Sequence, residues 1–156
     1  MVLPATTTTE LTFIITQEIR VNAPPEATFA ALLEELGPHN QGEHGPMPMK
    51  LEARPGGRWY RDLGEENGHF WGLVQAIKRP TLLEITGPLF MSFAVANNLQ
   101  YRLAPVDGGT VLTMKHSLMG PIPEEHRTGM QGGWRDMLDR VRRTAETAGP
   151  KSKKGA

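Results

Sequence analysis

His116 is the side chain in this sequence best suited to chemistry. In a strand over Val111–Leu118, His116 shares a face with Leu112, Met114 and Leu118, and this apolar face is predicted to point into the core. An imidazole in that position could bind a polar group of a ligand or act as an acid or base near neutral pH. Alternatively it is a structural histidine, since buried polar groups normally find partners.

Tyr101 is the second candidate. It shares one face of a predicted strand with Leu99 and Leu103, so its hydroxyl should also point inward. That hydroxyl could pair with a ligand or with His116. In the structural alternative, Tyr101 or a backbone carbonyl satisfies His116 and both residues serve packing. His116 and Tyr101 are therefore the candidate catalytic residues.

The clearest element is an amphipathic helix near the C-terminus. Pro123 and the acidic pair Glu124-Glu125 suit its first turn, and Gly149-Pro150 is predicted to end it. About 22 residues would span ~33 Å. Its apolar positions recur at helical spacing: Met130, Trp134, Met137, Leu138, Val141 and Ala145. Met130, Trp134 and Met137 would form plain core or, where a pocket exists, line it.

For the two neighbouring strands that carry Trp59 and Trp71, the sequence does not decide which face points inward. Either Trp59 with Arg61 or Tyr60 with Arg58 and Asp62 points inward. An inward arginine would anchor a carboxylate, whereas an outward one is a solvated charge. On the second strand, either Trp71 or Phe70 points inward. We predict that the inward aromatics form one wall of a cavity.

Several other chemistries are excluded by spacing. The residues that invite a metal hypothesis are His39, Glu43, His44 and His69. Their spacing matches no zinc motif, so no metal is predicted. Ser117 would point away from His116, and Ser92 lies in no nucleophile turn, so a serine triad is not expected. Gly56-Gly57 precedes a strand and opens no helix, which argues against a nucleotide site. No cofactor is predicted.

The elements that must position these residues follow in a simple order. A β-branched strand over Phe13–Val21 precedes a short helix that ends at Gly37-Pro38, and residues 39–48 read as irregular or poorly ordered. Further strands are predicted at Met49–Arg54, Arg58–Leu63, His69–Ile77, Leu82–Thr86, Leu99–Leu103 and Val111–Leu118. The link Gly87–Asn98 is apolar, and its tip could fold over a cavity mouth. An antiparallel meander with one long helix indicates an α+β fold, a bent sheet gripping that helix.

Length and composition predict the domain organisation, the class of partner and the location of the protein. At 156 residues we expect one domain over residues 11–148, with a disordered N-terminus (1–10) and a disordered basic tail (149–156). Lys plus Arg and Asp plus Glu both number 17, so no net charge favours nucleic acid or a membrane. The sequence has no cysteine and no signal-peptide pattern, and we expect a cytoplasmic protein.

A family resemblance rests on six motifs in order along residues 12–147. They are IRVNAPPEATF (19–29), PGGRW (55–59), HFWGLV (69–74), LLE (82–84), GGTVLT (108–113) and Gly133-Trp134. As a set they resemble the START-like, or SRPBCC, superfamily. Within it the chain is most similar to the bacterial branch related to the C-terminal domain of activators of the heat-shock (Hsp90) ATPase.

This resemblance implies a helix-grip fold: about six to seven antiparallel strands curved around a long C-terminal helix, with a short helix after strand one. It also implies a cavity for a hydrophobic small molecule of lipid, polyketide or aromatic type. The residues expected to bind it are Trp59, Trp71, Leu99, Tyr101, Leu112, Met114, His116, Met130, Trp134 and Met137. The alternatives are a cyclase, aromatase or hydrolase that uses His116 and Tyr101, a domain that interacts with the chaperone ATPase, and a homodimer.

Overall fold

The elements follow the predicted order of strand, helix, strands and long helix. The computed structural model describes the backbone of residues 11–154 and the side chains of residues 11–148. The predicted disordered N-terminus, residues 1–10, lies outside the described residues, as do residues 155–156. The elements are β1 Thr12–Val21, α1 Pro25–Leu36, β2 Gln41–Gly42, β3 Gly45–Pro46, β4 Lys50–Leu51, β5 Arg58–Gly64, β6 Asn67–Lys78, β7 Leu82–Gly87, β8 Ala96–Val106, β9 Gly109–Met119 and α2 Glu124–Lys154.

Seven of these strands form one antiparallel sheet in the order β1-β9-β8-β7-β6-β5-β4. Each neighbouring pair from β4 to β9 is consecutive along the chain. Strand β1 pairs with β9 and forms one edge of the sheet. The core lies between the sheet and α2, where alternate residues of β8 and β9 are buried. This is the helix-grip α+β fold, and the sequence-based fold prediction is confirmed.

Strand β1 and helix α1 form where the sequence predicts them. Ile15 and Val21 are buried on the inward face of β1, as their β-branched alternation indicates. Helix α1 begins with Pro25 at its first position and is followed by Gly37. Its buried residues include Phe29 and Leu32, which belong to the hydrophobic core.

Residues 39–54 differ from the prediction in two ways. The connection predicted to be irregular contains the small hairpin β2–β3, in which the Asn40 side chain donates to the Met47 carbonyl at 3.2 Å. The strand predicted over Met49–Arg54 shrinks to Lys50–Leu51. Beyond it, Glu52 instead binds Arg58 through its carboxylate, and the chain turns at the following Pro-Gly-Gly.

The inward faces of β5 and β6 are occupied by tryptophans. Trp59 and Trp71 are buried, whereas Phe70 is exposed and Tyr60 only partly buried. Arg58 lies on the outer side, over the Tyr60 ring and paired with Glu52, so it is no inward anchor. The register shifts between Trp59, opposite Gly72, and Tyr60, opposite Phe70, so Trp71 is the extra residue of a bulge in β6.

Two glycines allow β6 and β7 to approach closely beside Trp71. A Cβ on Gly87 would lie 2.5 Å from the Gly72 Cα and 2.5 Å from the Trp71 carbonyl oxygen. A Cβ on Gly72 would lie 2.7 Å from the Thr86 carbonyl oxygen. The absence of side chains at both positions therefore sets the path of the strand that carries Trp71.

Helix α2 begins at Glu124 as predicted but is longer than predicted. All six residues of the apolar stripe are buried. The helix continues to Lys154, so the predicted end at Gly149-Pro150 is wrong. The φ that proline imposes, about −65°, is itself helical, and this pair weakens a helix without forcing it to end.

Candidate functional site

The ten residues predicted to bind a ligand come together in the interior. All are less than one tenth exposed, and they extend from β5, β6, β8, β9 and α2. They are Trp59, Trp71, Leu99, Tyr101, Leu112, Met114, His116, Met130, Trp134 and Met137. The interior therefore has a predominantly apolar lining, with His116 and Tyr101 as its main polar side chains among these ten.

His116 is fully buried, and both of its ring nitrogens are hydrogen-bonded. The Trp134 indole Nε1–H donates to His116 Nδ1 at 3.0 Å. His116 Nε2 lies 2.8 Å from the Oδ1 of Asn97. The Asn97 amide nitrogen donates to the carbonyl oxygens of Gly87 and Pro88, so Oδ1 faces His116 as an acceptor. These partners select the neutral tautomer with its proton on Nε2.

This network makes His116 a poor proton acceptor. Burial lowers the pKa of His116 to about 4, because the imidazolium would lose its hydration. A second ring proton, on Nδ1, would also face the Trp134 indole N–H, which is itself a donor. The prediction that His116 points into the core is confirmed. The partners predicted for the structural alternative, Tyr101 or a backbone carbonyl, are wrong, since Asn97 and Trp134 take those places.

Tyr101 does not take part in this network. Its hydroxyl donates a weak hydrogen bond to the Met137 sulfur at 3.9 Å, and its inward orientation is confirmed. Full burial raises the pKa of Tyr101 well above its ordinary value of 10.0. Its directly opposite neighbour on β9 is Met114, whereas His116 lies opposite Leu99. The side chains of the candidate catalytic pair are thus directed to different partners on α2.

A second tryptophan–histidine pair lies at the surface. The Trp71 indole Nε1–H donates to His69 Nδ1 at 2.9 Å, and the two rings are nearly perpendicular. His69 is exposed, and its Nε2 has no hydrogen-bond partner among residues 11–148. Because Nδ1 accepts the indole proton, the neutral ring carries its own proton on Nε2. The pair therefore presents a free N–H donor.

Phe90 joins the two pairs. Its ring centroid lies 5.8 Å from that of Trp71 and 6.2 Å from that of Trp134. Phe90 is 38% exposed, while both tryptophans are 7% exposed. We call the series His69, Trp71, Phe90, Trp134 and His116 the aromatic row. It runs from a solvent-exposed histidine to a fully buried one.

Residues 88–95, between β7 and β8, hold Phe90 in this position. Leu89 and Met91, on either side of Phe90, are buried. The Leu89 backbone N–H donates to the Trp71 carbonyl at 2.8 Å, and Leu89 has a φ of 55°, which is uncommon for a bulky residue. The loop folds over the aromatic interior, as its apolar sequence indicated. Its backbone is fixed on both sides of Phe90.

Sequence reasoning missed Asn97 and the ring contacts of Phe90, although it singled out the apolar link that contains Phe90. Asn97 shares the inward face of β8 with Leu99, Tyr101 and Leu103, so strand alternation extended by one step would have found it. No periodic signal marks Phe90, because it lies in a loop and its partners are distant along the chain.

The fold and this site can now be compared with known proteins. The family model described as "Activator of Hsp90 ATPase homolog 1-like protein" matches residues 22–146, which is most of the chain. The chain belongs to this family. No curated protein matches it.

This family match confirms the predicted resemblance to activators of the Hsp90 ATPase. Several solved structures share the fold. Protein MLL2253 from Mesorhizobium loti has 19% identity and a TM-score of 0.65, covering 86% of this chain and 98% of that one. Protein CV1439 from Chromobacterium violaceum has 20% identity and a TM-score of 0.66, covering 85% and 96%. Protein BH1534 from Bacillus halodurans has 22% identity and a TM-score of 0.64, covering 88% and 100%. At these identities the likeness concerns the fold alone.

This family member also has a more polar cleft at the sheet edge. A space of about 330 Å³ lies between β1 and α2, lined by Thr16, Gln17, Glu18, Ile19, Arg135 and Leu138. Gln17 bridges the two elements by donating to the Gln131 carbonyl at 2.8 Å. Its mixed lining contrasts with the apolar interior.

The residues considered for a metal site do not converge. Within the part of the chain that the structure describes, no group of three or more His, Cys, Asp or Glu side chains could hold a metal ion. His39 instead lies 3.6 Å from Glu34, and His69 is held by Trp71. Among the same residues, no helix is both long enough and apolar enough to span a membrane.

Proposed function

We propose that this domain binds a hydrophobic small molecule between its sheet and helix α2. The observation that carries the proposal is the aromatic row, in which the partly exposed Phe90 lies between two buried tryptophans at the surface end of an apolar interior. The ten interior residues named above are the proposed lining. A START-like fold commonly binds hydrophobic ligands, which supports the same assignment.

The polar groups of the interior favour an apolar occupant. The indole N–H groups of Trp59, Trp71 and Trp134 already have acceptors: the Leu36 carbonyl, His69 and His116. His116 is satisfied on both nitrogens. A ligand entering this region therefore finds apolar surface and few free hydrogen-bonding groups, and hydrophobic burial would supply most of its affinity.

The same geometry argues against the alternative of an enzyme that uses His116 and Tyr101. A general base needs a free lone pair within reach of a substrate proton. The only lone pair of the His116 ring accepts the Trp134 N–H, and the Tyr101 hydroxyl is directed to Met137. Proton transfer through His116 would first require the network that joins α2 to β9 to open.

Binding can be tested with a matched pair of methionine variants. Met130 lies on the inner stripe of α2, whereas Met119 is exposed at the end of β9. We expect the purified wild-type protein to bind palmitate or 1-naphthoate in calorimetric titrations. Met130→Gln should weaken binding by about tenfold, because a polar group would enter an apolar wall. Met119→Gln should bind as the wild type does.

Native mass spectrometry of the freshly purified protein gives an independent measurement. A co-purified small molecule that is lost on organic extraction is the supporting result. If the extracted protein binds neither probe, or if both methionine variants bind equally to wild type, the proposed function is wrong.

A further inference from the structure

We propose that Phe90 occupies a slot between Trp71 and Trp134 that accepts the ring of a planar aromatic ligand, and that this ligand carries a hydrogen-bond acceptor which His69 Nε2–H binds. The inference rests on the proposed function and narrows its ligand to one chemical class. In this proposal the Phe90 side chain fills the slot in the free protein and moves out when the ligand ring binds.

The ring geometry supports the exchange of one aromatic ring for another. Phe90 meets Trp71 at an interplanar angle of 66° and Trp134 at 56°. The centroid separations of 5.8 Å and 6.2 Å lie in the range of favourable aromatic pairs. A ligand ring in the same place would make the same edge contact with Trp71 and the same tilted contact with Trp134. The slot therefore matches an aromatic ring better than a flexible acyl chain.

The Phe90 side chain can leave while its loop stays in place. Leu89 and Met91 are buried on either side, and Asn97 holds the carbonyl groups of Gly87 and Pro88. Phe90 itself is 38% exposed, so rotation about its χ1 angle moves the ring toward solvent. Only a side chain has to move for the slot to open.

His69 supplies the polar end of the site. Trp71 holds the imidazole through Nδ1, which leaves the Nε2 proton without a partner among the described residues. The ring centroids of His69 and Trp71 are 6.4 Å apart, so the donor lies beside the wall of the slot. A donor on the rim selects a carboxylate, phenolate or carbonyl group. The predicted class is a planar aromatic acid, phenol or ketone.

The first test compares Phe90→Ala with Phe93→Ala, using calorimetry with 1-naphthoate. Phe93 is a matched control, because it lies in the same loop with 37% exposure but packs on His126. If Phe90 competes with the ligand ring, Phe90→Ala should tighten binding by about tenfold, and Phe93→Ala should leave it unchanged. Phe90→Leu, which keeps apolar bulk without a ring, should tighten binding less and serves if the alanine variant does not fold.

The second test uses His69→Ala with 1-naphthoate and 1-methylnaphthalene, which has no acceptor group. Binding of naphthoate should weaken by about tenfold, and binding of methylnaphthalene should change little. Equal losses for both probes would overturn the assignment of His69. Weaker naphthoate binding by Phe90→Ala would show that Phe90 contacts the ligand as part of the site. It would contradict the proposal that Phe90 occupies the place of the ligand ring. If palmitate binds but neither 1-naphthoate nor 1-methylnaphthalene does, this inference fails while the proposed function stands.

Discussion

The two tryptophan–histidine pairs share one local geometry but differ in burial. In each, an indole N–H donates to a histidine Nδ1, at 2.9 Å in the surface pair and 3.0 Å in the buried pair. The rings are nearly perpendicular in both, at 85° and 86°. The pairs differ at the other nitrogen: His116 Nε2 meets Asn97, whereas His69 Nε2 is exposed and has no partner among the described residues.

This difference separates a fully satisfied network from a pair with one free donor. The buried pair joins α2, β9, β8 and the start of the 88–95 loop into one satisfied network. Losing any member leaves buried polar groups unpaired. The surface pair fixes the orientation of His69 but leaves one donor free.

The largest expected difference between the pairs is in stability. His116→Leu leaves the Trp134 N–H and the Asn97 Oδ1 buried without partners. At roughly 1–3 kcal/mol for each unsatisfied group, the free energy of unfolding should fall by about 2–6 kcal/mol. His69→Leu removes the acceptor of the Trp71 N–H, but that contact is only partly buried and water can replace it. The free energy of unfolding should therefore fall by less than about 1 kcal/mol. Urea denaturation measures both, and equal losses would show that the pairs are equivalent.

A smaller effect is expected from the protonation of His116. Its pKa is about 4 in the folded protein and 6.5 in the unfolded chain, so between these values the unfolded state binds more protons. Stability should therefore be fully present above pH 6.5 and fall by about 3 kcal/mol as the pH approaches 4. Urea midpoints across this range measure the change.

A control isolates the histidine from other titrating groups. His116→Leu should show a shallower loss of stability over the same pH range than the wild type. NMR titration of the His116 ring gives the folded-state pKa directly. A ring that protonates near pH 6.5 without loss of stability would mean that burial and the Trp134 contact do not disfavour the charged form.

The sequence predicted the buried pair only in part. Alternation in β8 and β9 placed His116 and Tyr101 inward, and the helical stripe placed Trp134 on the inner face. Which of these side chains meet depends on how α2 lies across the sheet, a long-range property that local periodicity does not encode. The surface pair was harder to predict, because both alternate faces of β5 and of β6 carry an aromatic residue and the sequence does not show which face is buried.

Asn97→Ala should make the buried pair resemble the surface pair. It removes the partner of His116 Nε2 and frees the carbonyl groups of Gly87 and Pro88. Only the His116 contact is fully buried, whereas the two carbonyl contacts are partly buried, so the free energy of unfolding should fall by about 1–3 kcal/mol. Amide hydrogen exchange should also accelerate in residues 88–95, because their tie to β8 is lost. Unchanged exchange in the loop would show that Leu89 and Met91 alone hold it in place.

The smallest effect is expected at Tyr101, which lies in the same interior but belongs to neither pair. Tyr101→Phe removes a hydroxyl whose partner is a methionine sulfur at 3.9 Å, a weak acceptor. Stability should change by less than about 1 kcal/mol. Because Tyr101 and His116 share no hydrogen bond, the double variant with His116→Leu should be additive within about 0.5 kcal/mol in urea denaturation. A larger coupling would mean that the hydroxyl does reach His116, which would restore the pair as a candidate for proton transfer.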